Sequence, residues 1–350
     1  MSYSSVTISE ILPLLNTSHF LPALQREFVW SSEQICALFD SLMRRYPISA
    51  FLVWQVPEEA RDDVDAYEFL NAVSQSGNRA RLARVNGPKD LTFVLDGQQR
   101  LTSLLIGLQG TYTERKSKSG KGSKTRVAKK LYLDLMHDGT SPDVEGETFY
   151  NFQFFDYAPM MERESYWFEV GRILNVYSHG EIEELITRQL KTIKDMRPMT
   201  TQRACLIERN LRRLYESVWD DQVISYHAES ESDHERILEI FVRANSGGVE
   251  LSKSDLLLST LTLHWRNENA REEINGFVDE LNTRLSRRNQ LSKDFVMKAC
   301  LVLLDLPVAY RVTSFNKETC ARIRERWDDI RDSLRRAVDG ANVFGIDETI

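Results

Sequence analysis

Five residues, Asp96-Gly97-Gln98-Gln99-Arg100, combine the groups from which a phosphate site is built. Arg100 carries a planar, always-charged fork that matches phosphate oxygens. Gln98 and Gln99 can donate and accept hydrogen bonds. Gly97 lets a ligand approach the backbone closely. Asp96 would be repelled by a triphosphate unless a cation lies between them or the carboxylate does chemistry. Mg²⁺ held by Asp96 and phosphate oxygens answers the first case; orienting the attacking water answers the second. The same residues also have a reading without a ligand, in which Asp96 caps a helix, Gln99 closes a capping box and Arg100 makes a salt bridge to a helix neighbour.

The flanking residues set where this cluster sits. Leu91-Thr92-Phe93-Val94-Leu95 is short, apolar and partly β-branched, and Leu101, Leu104, Leu105 and Leu108 recur at helical spacing. The pattern predicts strand, tight polar turn and helix. A helix start leaves backbone N–H groups without intrahelical acceptors, and such a spot favours an anion. A second spot of this kind is Asn245-Ser246-Gly247-Gly248, which stops one helix just before Ser252-Lys253 opens another. Its N–H groups and Ser252 can form an anion nest, with Lys253 as a point charge. It reads equally as a plain helix–turn–helix connection.

The string VLDGQQRLTSLL resembles the signature of the bacterial DGQQR-motif family, the N-terminal domain of GmrSD-type, modification-dependent (type IV) restriction enzymes and of SspE-like phage-defence proteins. Two more blocks match in order. One is Leu24-Gln25-Arg26-Glu27-Phe28-Val29-Trp30 with Tyr46-Pro47-Ile48; the other is Phe241 to Gly248 followed by Leu251-Ser252-Lys253-Ser254-Asp255. The resemblance implies a ParB/sulfiredoxin-like fold that binds and hydrolyses a nucleoside triphosphate, coupled to DNA cleavage by a separate HNH-type nuclease. Within that reading Asp96, Gln98, Gln99 and Arg100 are the candidate catalytic residues. The resemblance implies triphosphate contacts from Gln25, Arg26, Gly97, Arg100, Asn245, Gly247, Gly248, Ser252 and Lys253. Arg26 alternatively packs on Trp30 as a surface arginine.

Composition narrows the class. The chain has 350 residues, 42% hydrophobic and 28% charged, with a net charge of −7. These values fit a globular protein and argue against a general DNA-coating surface. No apolar run reaches the roughly 18 residues of a membrane span, and the first residues lack the plan of a signal peptide. A cytoplasmic location is the expectation. Arg115 to Lys130 is a basic tract without an acidic residue, read as a solvated loop or a nucleic-acid arm. Its Gly120-Lys121-Gly122-Ser123-Lys124-Thr125 lacks the first glycine of a P-loop. Cys36, Cys205, Cys300 and Cys320 are dispersed, which predicts buried free thiols. The six histidines are scattered, so an HNH nuclease is expected to be missing from the chain or to lie on another one.

The elements follow from periodicity. Ser31 with Gln34 predicts a capped helix with a stripe of Ile35, Leu38, Phe39, Leu42 and Met43, ending before Pro47. Strands are expected at 50–56, 131–135, 151–155 and 222–226, the second and third paired, with residues 57–90 a polar excursion. Helices are expected at 181–196, 202–219, 253–267, 271–286, 293–304 and 318–338, and another opened by a Ser232–Glu235 capping box. Trp30, Trp54 and the Phe241 stripe are expected in the core. The whole reads as α+β: a small mixed sheet with helices over 1–250, with inserted basic loop and helices at about 112–220, then a mainly helical part over 251–350. Nucleoside triphosphate, Mg²⁺, DNA that carries modifications, and a nuclease domain or subunit are the expected ligands and partners. A homo-oligomer is left open. The rival reading is a DNA-binding module without nucleotide turnover.

Overall fold

The apolar run that leads into the Asp96 turn is a strand inside a sheet, and the run that follows the turn is a helix. The computed structural model describes residues 3–22, 27–58, 61, 66–74, 80–83, 91–115, 126–139, 148–160, 165–196, 198–230, 234–245, 258, 261, 265, 270–284, 290–306 and 317–345. Among them β1 is Tyr3–Val6, β2 His19–Pro22, β3 Phe51–Val56, β4 Ala66–Tyr67 and β5 Ala72–Ser74. β6 is Leu91–Asp96, β7 Thr111–Arg115, β8 Arg126–Asp134, β9 Phe152–Phe155, β10 Trp167–Glu169 and β11 Ile224–Glu229. One six-stranded sheet has the order β1-β11-β3-β6-β2-β4. β11 is parallel to β3, β2 is parallel to β6, and β1 is antiparallel to β11.

The second sheet has the order β10-β8-β7-β5, and β9 pairs with β8 antiparallel, as the alternating runs predict. β8 starts five residues before Leu131, because Arg126–Lys129 pairs with β7. The polar excursion contributes β5, which pairs in parallel with β7. The protein is therefore α+β, with mixed sheets and helices.

Helix α1 is Ile8–Ile11, α2 Ser32–Met43, α3 Gln98–Gln109, α4 His179–Met196 and α5 Thr201–Trp219. α1 carries a capping box, Thr7 with Glu10, that the sequence reading passes over. α2 has its predicted Ser31–Gln34 box, and its apolar stripe is buried. Beside that stripe Asp40 is also buried; it accepts the N–H groups of Phe149 and Tyr150 at 3.1 and 2.7 Å. α3 departs from its amphipathic pattern. Thr102, Ser103, Ile106 and Gly107 are buried along with its leucines, so the helix is enclosed on nearly every side. Its two hydroxyls are satisfied by the carbonyls of Gln98 and Gln99, one turn back.

The chain divides into two compact units. The first is Met1–Phe20, Glu27–Gln55 and Tyr67–Glu229; the second is Leu21–Arg26, Val56–Ala66 and Ser230–Ile350. The division falls at 229/230, so the expected boundary at 250/251 lies inside the second unit. That unit contains α6 His234–Asn245, α7 Ala270–Thr283, α8 Lys293–Leu303, α9 Lys317–Glu325 and α10 Trp327–Val343. The single helix expected over 318–338 is two helices. The break at Arg326 lets Trp327 enter the core, edge-on to Trp265 and Phe277 at 5.4 and 5.7 Å. Asp328 and Asp329 in the new first turn favour a helix start there.

Trp54 and Phe241 are buried as expected, while Trp30 is half-buried. Cys300 and Cys320 are buried thiols outside any disulfide, but Cys205 is exposed on α5. No helix among the described residues is long and apolar enough to cross a membrane.

Candidate functional site

Strand β6 ends at Asp96, and the chain turns into α3 through Gly97. Gly97 has φ 90° and ψ 7°, a left-handed conformation that strains any other residue. A Cβ there would also overlap the edge of the Phe51 ring. Glycine is required twice over, by backbone and by close approach. Gly97 is the helix N-cap and α3 has no side-chain cap. The capping box of Asp96 with Gln99 is therefore not formed, because the left-handed glycine moves the helix start one residue on. The first-turn N–H groups have no intrahelical acceptors, and the positive end of the helix dipole lies at the turn.

The side chains of the motif are largely engaged by the protein itself. Gln98 is buried and donates from Nε2 to the Val94 carbonyl at 2.9 Å. Gln99 donates from Nε2 to the Glu27 carbonyl at 3.2 Å and accepts the Val29 N–H on Oε1 at 3.0 Å. One amide thus clamps the chain before Trp30 against the start of α3. Arg100 donates to the carbonyls of Ile48 and Ala50 and pairs with Asp96 Oδ2 at 3.3 Å. Its guanidinium lies over the Phe51 ring, 4.6 Å from the centroid. Its side chain is 15% exposed, and burial lowers its pKa, opposed by the charge of Asp96. It stays protonated at any physiological pH. Asp96, with a side chain 36% exposed, is the open member of the motif.

Around this turn the structure brings one further sequence block to the motif: the glutamine clamp joins Glu27–Val29, and Arg100 joins Ile48. Gln25, Arg26, Gly247, Gly248, Ser252 and Lys253 lie outside the described residues, as does the side chain of Asn245 at the end of α6. Most of the basic tract lies outside them too. No group of three or more His, Cys, Asp or Glu side chains able to hold a metal ion occurs among the described residues. Asp96 alone would supply the single carboxylate that Mg²⁺ with substrate phosphates can use, through Oδ1, which the arginine leaves open.

A cavity of about 130 Å³ adjoins the turn. Its floor is one face of the sheet, where alternate residues line up: Phe51, Val53 and Gln55 on β3, Thr92 and Val94 on β6. His19 of β2 and Ile224 and Tyr226 of β11 extend the floor. Glu10, Ile11 and Leu14 close the other side, and Leu101 of α3 forms an end. Alternation puts Asp96 on the same face, about 7 Å beyond Val94 along the strand. His19 hydrogen-bonds Ser18 Oγ through Nδ1 at 3.0 Å, and burial lowers its pKa. The sequence reading missed this cavity. Its signal was the parity of Thr92, a polar residue inside an apolar run and in phase with Asp96.

Residues 9–262 match the family model of the GmrSD restriction endonuclease N-terminal domain, and the chain belongs to that family. It is thus a restriction-system, phage-defence protein. No individually curated protein matches the chain.

Proposed function

We propose that the Asp96–Arg100 turn is the phosphate end of a nucleoside-triphosphate site, in a domain that hydrolyses the nucleotide to regulate cleavage of modified DNA. The observation that carries this reading is the helix start at Gly97. It has no side-chain cap, it is forced into a ligand-permissive glycine conformation, and it stands beside a half-exposed carboxylate. Backbone N–H groups and the helix dipole bind an anion there. Asp96 either orients the attacking water or holds an Mg²⁺ that neutralises phosphate charge.

The role of Arg100 is refined by its surroundings. It contacts four partners within the fold, so in this reading it braces the turn and sets the Asp96 carboxylate, rather than leaving to meet the phosphate. Gln99 likewise positions the segment that follows Gln25 and Arg26, which remain the proposed second phosphate ligands. Hydrolysis is by water, and DNA cleavage falls to a nuclease domain or subunit of the HNH type. The proposal is of a GTP-like hydrolase acting in the cytoplasm.

Phosphate release from GTP, ATP, CTP and UTP with Mg²⁺, with and without DNA, tests this. Wild type turns over at least one nucleotide, and Asp96→Asn lowers the rate about 100-fold or more while its circular dichroism is unchanged. No release by wild type, or full activity in a folded Asp96→Asn protein, overturns the reading.

A further inference from the structure

The cavity next to the turn has properties of its own. Its floor is mostly apolar: Phe51, Val53, Val94 and Ile224. Polar groups are few and lie around this floor. Among the described residues they are those of Thr92, His19, Gln55 and Tyr226, with Glu10 as the one acidic residue of the lining. Among the described residues no lysine or arginine lines it, so these residues offer no cation to a phosphate. An apolar site with a few convergent hydrogen-bonding groups of both kinds suits an uncharged heterocycle. The volume decides the size. About 130 Å³ is close to the roughly 150 Å³ of an engineered cavity that takes up benzene, a single six-membered ring. Leu14, 38% exposed, and the exposed Gln55 mark the mouth, where a sugar would emerge.

Phe51 gives the cavity its link to the turn. One ring serves as cavity wall, as the surface under the Arg100 guanidinium and as the close neighbour of Gly97. We propose that this cavity is a nucleobase pocket that takes a single-ring, pyrimidine-type base against Phe51, with Thr92 and His19 as hydrogen-bonding partners. The base belongs either to the nucleotide whose phosphates meet Asp96 or to a separate nucleoside unit. The pocket goes beyond the triphosphate reading and does not need turnover.

Uncharged nucleosides provide the test, since they carry no phosphate. Saturation-transfer NMR on the full chain with cytidine, uridine and thymidine is expected to show transfer to base protons, stronger than with adenosine or guanosine. Leu14→Trp, which plugs the mouth from an exposed position, lowers affinity about tenfold or more while thermal unfolding is unchanged. Thr92→Val, close to isosteric, lowers it about three- to tenfold through one lost hydrogen bond. No transfer to any nucleoside, transfer confined to purines, or equal binding in a folded Leu14→Trp protein overturns the pocket. Competition separates the two sources. Displacement of the nucleoside by CTP or UTP assigns the pocket to the triphosphate site, whereas joint binding assigns it to a separate base. Nucleoside binding without phosphate release from any nucleotide would retain the pocket and sink the hydrolysis reading alone.

Discussion

Arg100 lies with its guanidinium carbon 4.6 Å from the centre of the Phe51 ring, while the same fork donates to the Ile48 and Ala50 carbonyls. A buried arginine held this way sustains the chain leading into β3 as well as the turn. Removing it leaves two carbonyls and the Asp96 carboxylate without their donor. Arg100→Ala is expected to lose about 2–4 kcal/mol of stability by denaturant titration. Arg100→Lys should recover only part of that, since an ammonium cannot serve the planar set. A folded Arg100→Ala protein with wild-type midpoint would show that the brace is idle.

Gly97 and Phe51 form a second dependent pair. Gly97→Ala combines a left-handed backbone with overlap of the phenyl ring, and about 2 kcal/mol or more is expected from the two together. Because one cost comes from Phe51, a Phe51→Ala background should relieve it. A double-mutant cycle is therefore expected to show a coupling of about 1 kcal/mol or more. Strict additivity would mean that backbone strain acts alone.

Much of this was legible in the residues. The strand, turn and helix around Asp96 follow from two apolar periods and one glycine, and the α2 stripe from its capping box. What the sequence concealed was the direction of the polar side chains. Gln98 and Gln99 look free in one dimension because their partners, at Val94, Glu27 and Val29, are backbone groups, and every residue carries those; the carbonyls of Ile48 and Ala50 that hold Arg100 are concealed in the same way. The enclosure of α3 was hidden for a related reason: Thr102 and Ser103 look polar but return their hydroxyls to their own helix. The cavity needed four strands in register, and only the sheet order brings β2, β6, β3 and β11 together.

His19 should make stability depend on pH. Burial lowers its folded pKa below the ordinary 6.5, so the unfolded chain binds the proton more readily. Its contribution is complete above about pH 6.5 and is lost as pH falls from there toward the folded value. His19→Gln is expected to flatten the dependence of the unfolding midpoint on pH below about pH 6.5 relative to wild type. Parallel curves for the two proteins over that range would remove His19 as the source.

The clamp made by Gln99 predicts a local effect distinct from a global one. Its Oε1 accepts the Val29 N–H and its Nε2 reaches the Glu27 carbonyl, so both ends of one amide secure the same segment. Gln99→Ala frees that segment without emptying a large volume in the core. Two lost hydrogen bonds of about 1 kcal/mol each set the scale. Hydrogen exchange at the Val29 amide should then accelerate by about tenfold or more, while amides inside β6 keep their protection. Gln99→Glu separates the two bonds. A carboxylate still accepts from Val29, but it meets the Glu27 carbonyl acceptor to acceptor. Val29 protection is therefore expected to be partly restored while the midpoint stays below wild type. Uniform acceleration across β6 and residues 27–29 in Gln99→Ala would mean that the amide supports the whole sheet, and the local clamp would be wrong.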